Sequence, residues 1–202
     1  MGRYTGPKAK INRRLGALIY ETRGAMRAAD RRPNPPGMHT RPKRPSNYGL
    51  ALMEKQKIKH YYGLGEKQLR RYFTMAKHMK GNTGENLMIL CERRLDNVVR
   101  RAGFALTRTQ ARQGVAHGHI LVNGQRVDKP SFQCRPGDIV SVRSREKLQI
   151  LYRSLLGESS GQVPAFLSPD PETLSVSFDG IPAAEDVSLK VDVNSVVEFM
   201  SR

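Results

Sequence analysis

The chain has 202 residues, 38% hydrophobic and 6% aromatic with no Trp, which limits it to one or two domains around a modest core. A formal net charge of +17 points to a polyanionic partner, and two isolated cysteines, Cys91 and Cys134, exclude a disulfide framework or a cysteine-built metal cage. No stretch is apolar enough to span a membrane and the N-terminus has no apolar leader core, so a cytoplasmic protein with no membrane partner is expected.

The charge is uneven. Residues 1–90 carry 20 basic and 5 acidic side chains, residues 91–160 carry 13 and 6, and residues 161–202 carry 2 and 7. Residues 1–46 read as a basic arm, because the stretch from Arg31 through Pro33, Pro35, Pro36 and Pro42 to Pro45 is too proline-rich for a helix and too charged to bury. Dense Arg and Lys on such a backbone suit laying a chain along phosphates; a plain linker is the alternative.

From Ser46 the period becomes helical, and residues 47–92 read as a helical domain. One helix is predicted near Tyr48 to Tyr62 and a second near Glu66 to Met79. In the second, Leu69, Tyr72, Phe73, Ala76 and Met79 form a buried stripe opposite Lys67, Arg70, Arg71, Thr74 and His78. Thr83 can cap a third helix running to about Ala102, with Cys91 on its inner side. Thr107 and Gln110 then form a capping box for a helix reaching about His117, closed by Gly118. Strands follow: Ile120 to Val122 and Gln125 to Val127 flank Asn123-Gly124, a type I′ hairpin signal, and Pro136-Gly137-Asp138 turns into a strand from Ile139 to Val142. Residues 93–155 thus read as one module. Residues 156–202 form an acidic segment, with strand alternation at Leu174, Val176 and Phe178 and a closing helix from Val193 capped by Asp192; its charge should turn it away from a polyanion.

Five stretches in order carry a resemblance: Arg3-Tyr4-Thr5-Gly6-Pro7; Tyr48-Gly49-Leu50 with Glu54-Lys55-Gln56-Lys57; Gly81-Asn82-Thr83-Gly84-Glu85-Asn86-Leu87; Glu92-Arg93-Arg94-Leu95-Asp96-Asn97-Val98-Val99; and Ile120-Leu121-Val122-Asn123-Gly124. Over nearly its whole length the chain resembles the bacterial-type small-subunit ribosomal protein S-four family. The resemblance implies an α+β fold with a basic arm, a helical domain and an inserted RNA-binding module of short helices packed on a small, mainly antiparallel sheet. It also implies a structural component of the small subunit that binds its rRNA, acts early in assembly and influences decoding accuracy. Neighbouring small-subunit proteins and nearby messenger RNA are the further partners it implies. Some members hold zinc through N-terminal cysteines; residues 1–46 have none, which implies a metal-free form with no cofactor.

The expected RNA-binding residues are Arg3, Tyr4, Lys10, Arg13, Arg14, Arg41, Lys43 and Arg44 in the arm, and Lys55, Lys57, Lys67, Arg70 and Arg71 in the helical domain. In the module the resemblance implies Arg94, Arg108, Arg112 and His117, with Asn123 shaping the hairpin. Arg108 and Arg112 stand four residues apart on one helix face, where two guanidinium forks can reach adjacent phosphates.

Enzymatic readings are weak. Gly157-Glu158-Ser159-Ser160-Gly161 is a literal G-x-S-x-G, but Pro164 and the Gly and Ser around it read as a loop rather than a strand-to-helix elbow. His117 and His119 lack a third metal ligand, and no phosphate-binding loop or small-molecule site is visible. An RNA-modifying enzyme sharing the module would need a catalytic domain, for which the remaining residues are too few. A free-standing RNA-binding or RNA-chaperone protein is the alternative function.

Overall fold

The computed structural model describes residues 4–38, 44–158 and 163–201. In chain order these form α1 (Lys8–Leu15), α2 (Arg23–Arg31), α3 (Asn47–Tyr61), α4 (Glu66–His78) and α5 (Thr83–Glu92). Next come α6 (Leu95–Arg101), α7 (Arg108–Ala116), β1 (Ile120–Val122), β2 (Gln125–Arg126), β3 (Asp138–Val142) and α8 (Glu146–Glu158). The chain ends with β4 (Leu167–Asp170), β5 (Ser175–Phe178) and α9 (Val193–Ser201). They divide into two compact units, Met1–Leu87 with Leu189–Arg202, and Met88–Ser188.

In the first unit the two-faced pattern of α4 is realised: Leu69, Tyr72, Phe73 and Ala76 are buried while Lys67, Arg70 and Arg71 are exposed. Met79, expected in the stripe, lies past the helix end and is 37% exposed. Residues 8–31, read as part of an arm, form two helices, α1 and α2, joined by a non-helical stretch. Their apolar residues are sparse, yet Ile11, Leu15, Ile19, Tyr20 and Ala25 are all buried, and Asn12 ties the turn after α1 by accepting from the Ile19 and Tyr20 backbone N–H groups. This segment supplies core as well as charge. Gly84 carries no Cβ where one would stand 2.6 Å from a Val193 methyl, so α9 packs where a side chain would block it.

The expected single helix from Thr83 to Ala102 is two, α5 and α6. At Arg93 and Arg94 the backbone turns extended and pairs with residues 130–134: Cys134 N–H donates to the Arg93 carbonyl, Leu95 N–H to the Phe132 carbonyl, and Arg94 bridges Gln133. Asn82, not Thr83, caps α5, accepting from Gly84 N–H at 2.8 Å.

The second unit packs α6, α7 and α8 with a five-stranded antiparallel sheet of order β2-β1-β3-β5-β4. Its core runs from Leu95, Val98 and Phe104 through Ile120 and Val140 to Tyr152, Val176 and Phe178. Thr107 caps α7 by accepting from Gln110 N–H at 3.2 Å; Gln110 returns its oxygen to Leu106 N–H rather than to Thr107. Asn123 and Gly124 have φ of 50° and 77°, the left-handed pair that a type I′ turn requires. The acidic segment is divided: β4 and β5 extend this sheet, and α9 packs on α3 in the first unit.

Candidate nucleic-acid interface

A cation that folding leaves exposed and unpaired is a better phosphate ligand than one already neutralised by a carboxylate, and this criterion sorts the expected site residues. Arg3, Arg41 and Lys43 lie outside the described residues, as do Ser159, Ser160 and Gly161 of the G-x-S-x-G stretch. In the first unit Lys10, Arg14, Arg44, Lys67, Arg70 and Arg71 are exposed and, among the described residues, form no ion pair. Tyr4 is 39% exposed, stacked on Tyr20 and edge-on to His60. Arg13 is half-buried and donates to the Asn34 and Pro35 carbonyls, fastening the proline-rich stretch to α1.

Two lysines of α3 belong to the fold. Lys55 was expected on the surface but is buried: its ammonium pairs with Glu66 and sits 4.9 Å from the Phe199 ring. Lys57 is half-buried and pairs with Glu54 one turn back. Lys55 shares the helix face that buries Ile58, so its charge is held inside by the Glu66 carboxylate.

In the second unit the correction is larger. Arg94 is not RNA-facing: it is 0% exposed, with Nε and one terminal nitrogen donating to the two oxygens of Asp96 at 2.9 and 2.6 Å. Arg112 donates to the same carboxylate at 3.1 Å. Arg108 is half-buried and donates to Asn97 Oδ1 and Ser188 Oγ, while Asn97 in turn donates to the buried Glu92 carboxylate at 2.6 Å. The face shared by Arg108 and Arg112 therefore closes a polar network around two buried carboxylates. Such a network forms because a charge taken out of water needs a matched partner and satisfied hydrogen bonds. Asn123 is exposed but shapes the fold, its amide bridging Asp138 and the Ile139 N–H. His117 alone of the five module residues is exposed without a structural hydrogen bond among the described residues.

Around His117 the structure assembles cations that sequence reasoning passed over. A cleft of about 370 Å³ is lined by His117, Gly118, His119, Arg143, Arg145 and Lys147, with one carboxylate, Glu146. Gly118 sits at φ +70° directly beneath the Arg126 guanidinium, where a Cβ would collide with it. Arg126, Arg143, Arg145 and Lys147 form no ion pair among the described residues. The run Arg143-Ser144-Arg145-Glu146-Lys147 was visible as charge, but its convergence on the histidines depends on β3 lying beside β1 and returning the chain to His119, whose carbonyl accepts from Arg143 N–H. Burial, with help from His117 and Arg145, holds the His119 imidazole below the usual histidine range.

Among the described residues no three His, Cys, Asp or Glu side chains are placed to share a metal ion, and no helix is long and apolar enough to cross a membrane. EDTA is expected to leave the melting temperature unchanged; a fall of several degrees reversed by zinc contradicts the metal-free reading.

Residues 3–92 match the family model described as the ribosomal protein S4/S9 N-terminal domain, and residues 93–140 match the S4 domain. The chain is 63% identical over 202 residues to the small ribosomal subunit protein uS4 of Rhodopirellula baltica. It is 44% identical over 205 residues to that of Geobacillus stearothermophilus and 44% over 209 residues to that of Thermus thermophilus. In each case the whole of both chains is covered.

Proposed function

The chain belongs to the family of the small ribosomal subunit protein uS4, and from that footing we propose that it binds small-subunit rRNA directly as a structural, non-catalytic component of the small ribosomal subunit. The observation that supports this most is the sorting of its cations. Lys55, Lys57, Arg94 and Arg112 are paired within the fold, whereas Lys10, Arg14, Lys67, Arg70 and Arg71 in one unit and Arg126, Arg143, Arg145 and Lys147 in the other are left for phosphates. Backbone phosphates need point charges and forks rather than a pocket built for one small molecule.

A cytoplasmic ribosome is the proposed setting, with neighbouring small-subunit proteins as contacts and messenger RNA nearby. An early place in assembly and an influence on decoding accuracy follow from the same family reading. Sedimentation of a lysate tests the setting: the chain is expected to travel with small subunits, and a chain found only in the free protein fraction contradicts it.

Salt dependence tests the mode of contact. With roughly five to eight phosphates neutralised at ~0.7–0.9 per contact, log K for rRNA should fall against log salt with a slope of about −4 to −7. A slope near −1 means that the exposed cations are merely solvated.

A further inference from the structure

Beside the basic cleft, and sharing His117 and His119 with it, lies a second cavity of about 170 Å³ that the phosphate contacts do not use. Its wall joins Phe104, Leu151, Tyr152 and Leu155 to the polar groups Gln110, Gln113, His117 and His119. The rings are held in place. Tyr152 stands edge-on to Phe104 at 6.3 Å and to His119 at 6.1 Å, and its hydroxyl lies 3.3 Å from His119 Nδ1. Gly114 makes the cavity possible, because a Cβ there would stand 2.5 Å from the Tyr152 hydroxyl.

We propose that this cavity receives one unstacked, single-ring nucleobase of RNA while the adjoining cleft of Arg143, Arg145 and Lys147 holds that nucleotide's phosphate, so that the two together form a nucleotide site. The inference rests on the rRNA-binding reading and adds a base subsite to it. Size supports it: an apolar cavity of ~150 Å³ takes up benzene, so about 170 Å³ admits a flat six-membered ring. Chemistry supports it as well. Bases removed from a stack are held by aromatic side chains and read by hydrogen bonds at their edges; Phe104 and Tyr152 are buried and form the floor, His117 is the exposed ring, and Gln113 offers both an amide donor and a carbonyl acceptor from an exposed position. The Tyr152 hydroxyl, pushed up to about 12 by burial, stays protonated and can donate to His119 Nδ1; the neutral imidazole then keeps Nε2–H as a donor. Charge complementarity selects the occupant, since an apolar cavity opening beside four cations and two histidines matches a base on a phosphate chain better than an uncharged ligand.

The test uses the full chain and two probes at one salt concentration: a twelve-residue oligouridylate, whose bases stack little on one another, and a ribose-phosphate chain of equal length without bases. The intact protein should bind the oligouridylate on the order of tenfold more tightly, the scale of one base stacked on aromatic side chains. The Gln113→Ala, Leu151→Ala double variant, altered at two exposed positions, should bring the ratio close to one and leave affinity for the baseless chain unchanged. Gly114→Ala combined with Tyr152→Phe, which puts a methyl where the hydroxyl stood and removes that hydroxyl's hold on His119, should do the same. Equal binding of both probes by the intact protein overturns the base subsite, as does a ratio that survives both double variants. Small-subunit rRNA in the same buffer separates the two levels: if it binds while the probes are not distinguished, only the subsite fails; if it does not bind, the rRNA-binding reading fails with it.

Discussion

Replacing Asp96 by alanine should destabilise the protein by about 3–5 kcal/mol, the usual result of removing one partner from a buried ion pair. Arg94 has no water to turn to. It is fully buried, donates from Nε and a terminal nitrogen to the two oxygens of that carboxylate, and sits where the backbone leaves α5 to pair with residues 130–134. Arg112 loses its 3.1 Å contact with that carboxylate in the same step. At ~2–4 °C per kcal/mol for a chain of this size, the melting temperature should fall by roughly 6–20 °C. Arg112→Ala should do less harm, because Arg94 keeps both of its bonds to Asp96. Thermal or urea unfolding of the two variants measures the difference, and an Asp96→Ala loss below about 1 kcal/mol would mean that this network carries little of the fold's stability.

Reversing Arg143 and Arg145 to glutamate should have the opposite profile, losing RNA and keeping the fold. Neither side chain has an ion-pair partner among the described residues, Arg145 is exposed and Arg143 half-buried, so stability should move by less than ~0.5 kcal/mol at Arg145 and by at most about 1 kcal/mol at Arg143. Binding to small-subunit rRNA should weaken by ~2–4 kcal/mol, or roughly 30- to 1,000-fold, as two charge-assisted phosphate contacts are replaced by repulsion. Lys190→Glu is the control: it is exposed in the acidic C-terminal region and should change affinity little. A control effect equal to that of the double variant would mean that net charge alone governs binding. The pair Arg108 and Arg112, attractive from spacing, is the wrong choice for such an experiment. Reversing it would place two carboxylates against Asp96 and the Asn97–Glu92 pair and unsettle the fold before any RNA contact could be read.

Much of the architecture was legible because local signals and tertiary structure agree. The Asn123-Gly124 hairpin, the Thr107 cap and the buried stripe of α4 each follow from short-range geometry that packing has no reason to overrule. The helices of residues 8–31 were hidden by their charge: a few apolar residues among arginines suffice to dock a short helix, but they make a faint period. α8 drew no expectation although Leu148, Leu151, Tyr152, Leu155 and Leu156 follow the i, i+3, i+4, i+7, i+8 spacing of a one-sided helix; only Ile150, 63% exposed, breaks the stripe.

For the site, sequence registered where positive charge is dense but not which charges folding neutralises. Arg94 and Arg112 look like surface cations until Asp96 is seen between them, and Lys55 until Glu66 reaches it from the next helix. An Arg two residues before an Asp, within an apolar run, was the available signal. Arg126 and the run from Arg143 to Lys147 were overlooked for the converse reason, as they lie apart from each other and from the histidines in sequence and meet only through strand pairing.

The central claim is that RNA is held by the cations that folding leaves unpaired, and lysine acetylation of the full chain with and without bound small-subunit rRNA tests it most directly. Lys10, Lys67 and Lys147, exposed and without ion pairs among the described residues, should be modified in the free protein and protected by RNA. Lys55, paired with Glu66 under the Phe199 ring, should react slowly in both states, and Lys190 should react readily in both. Protection of Lys190 with Lys10, Lys67 and Lys147 still open would contradict the account.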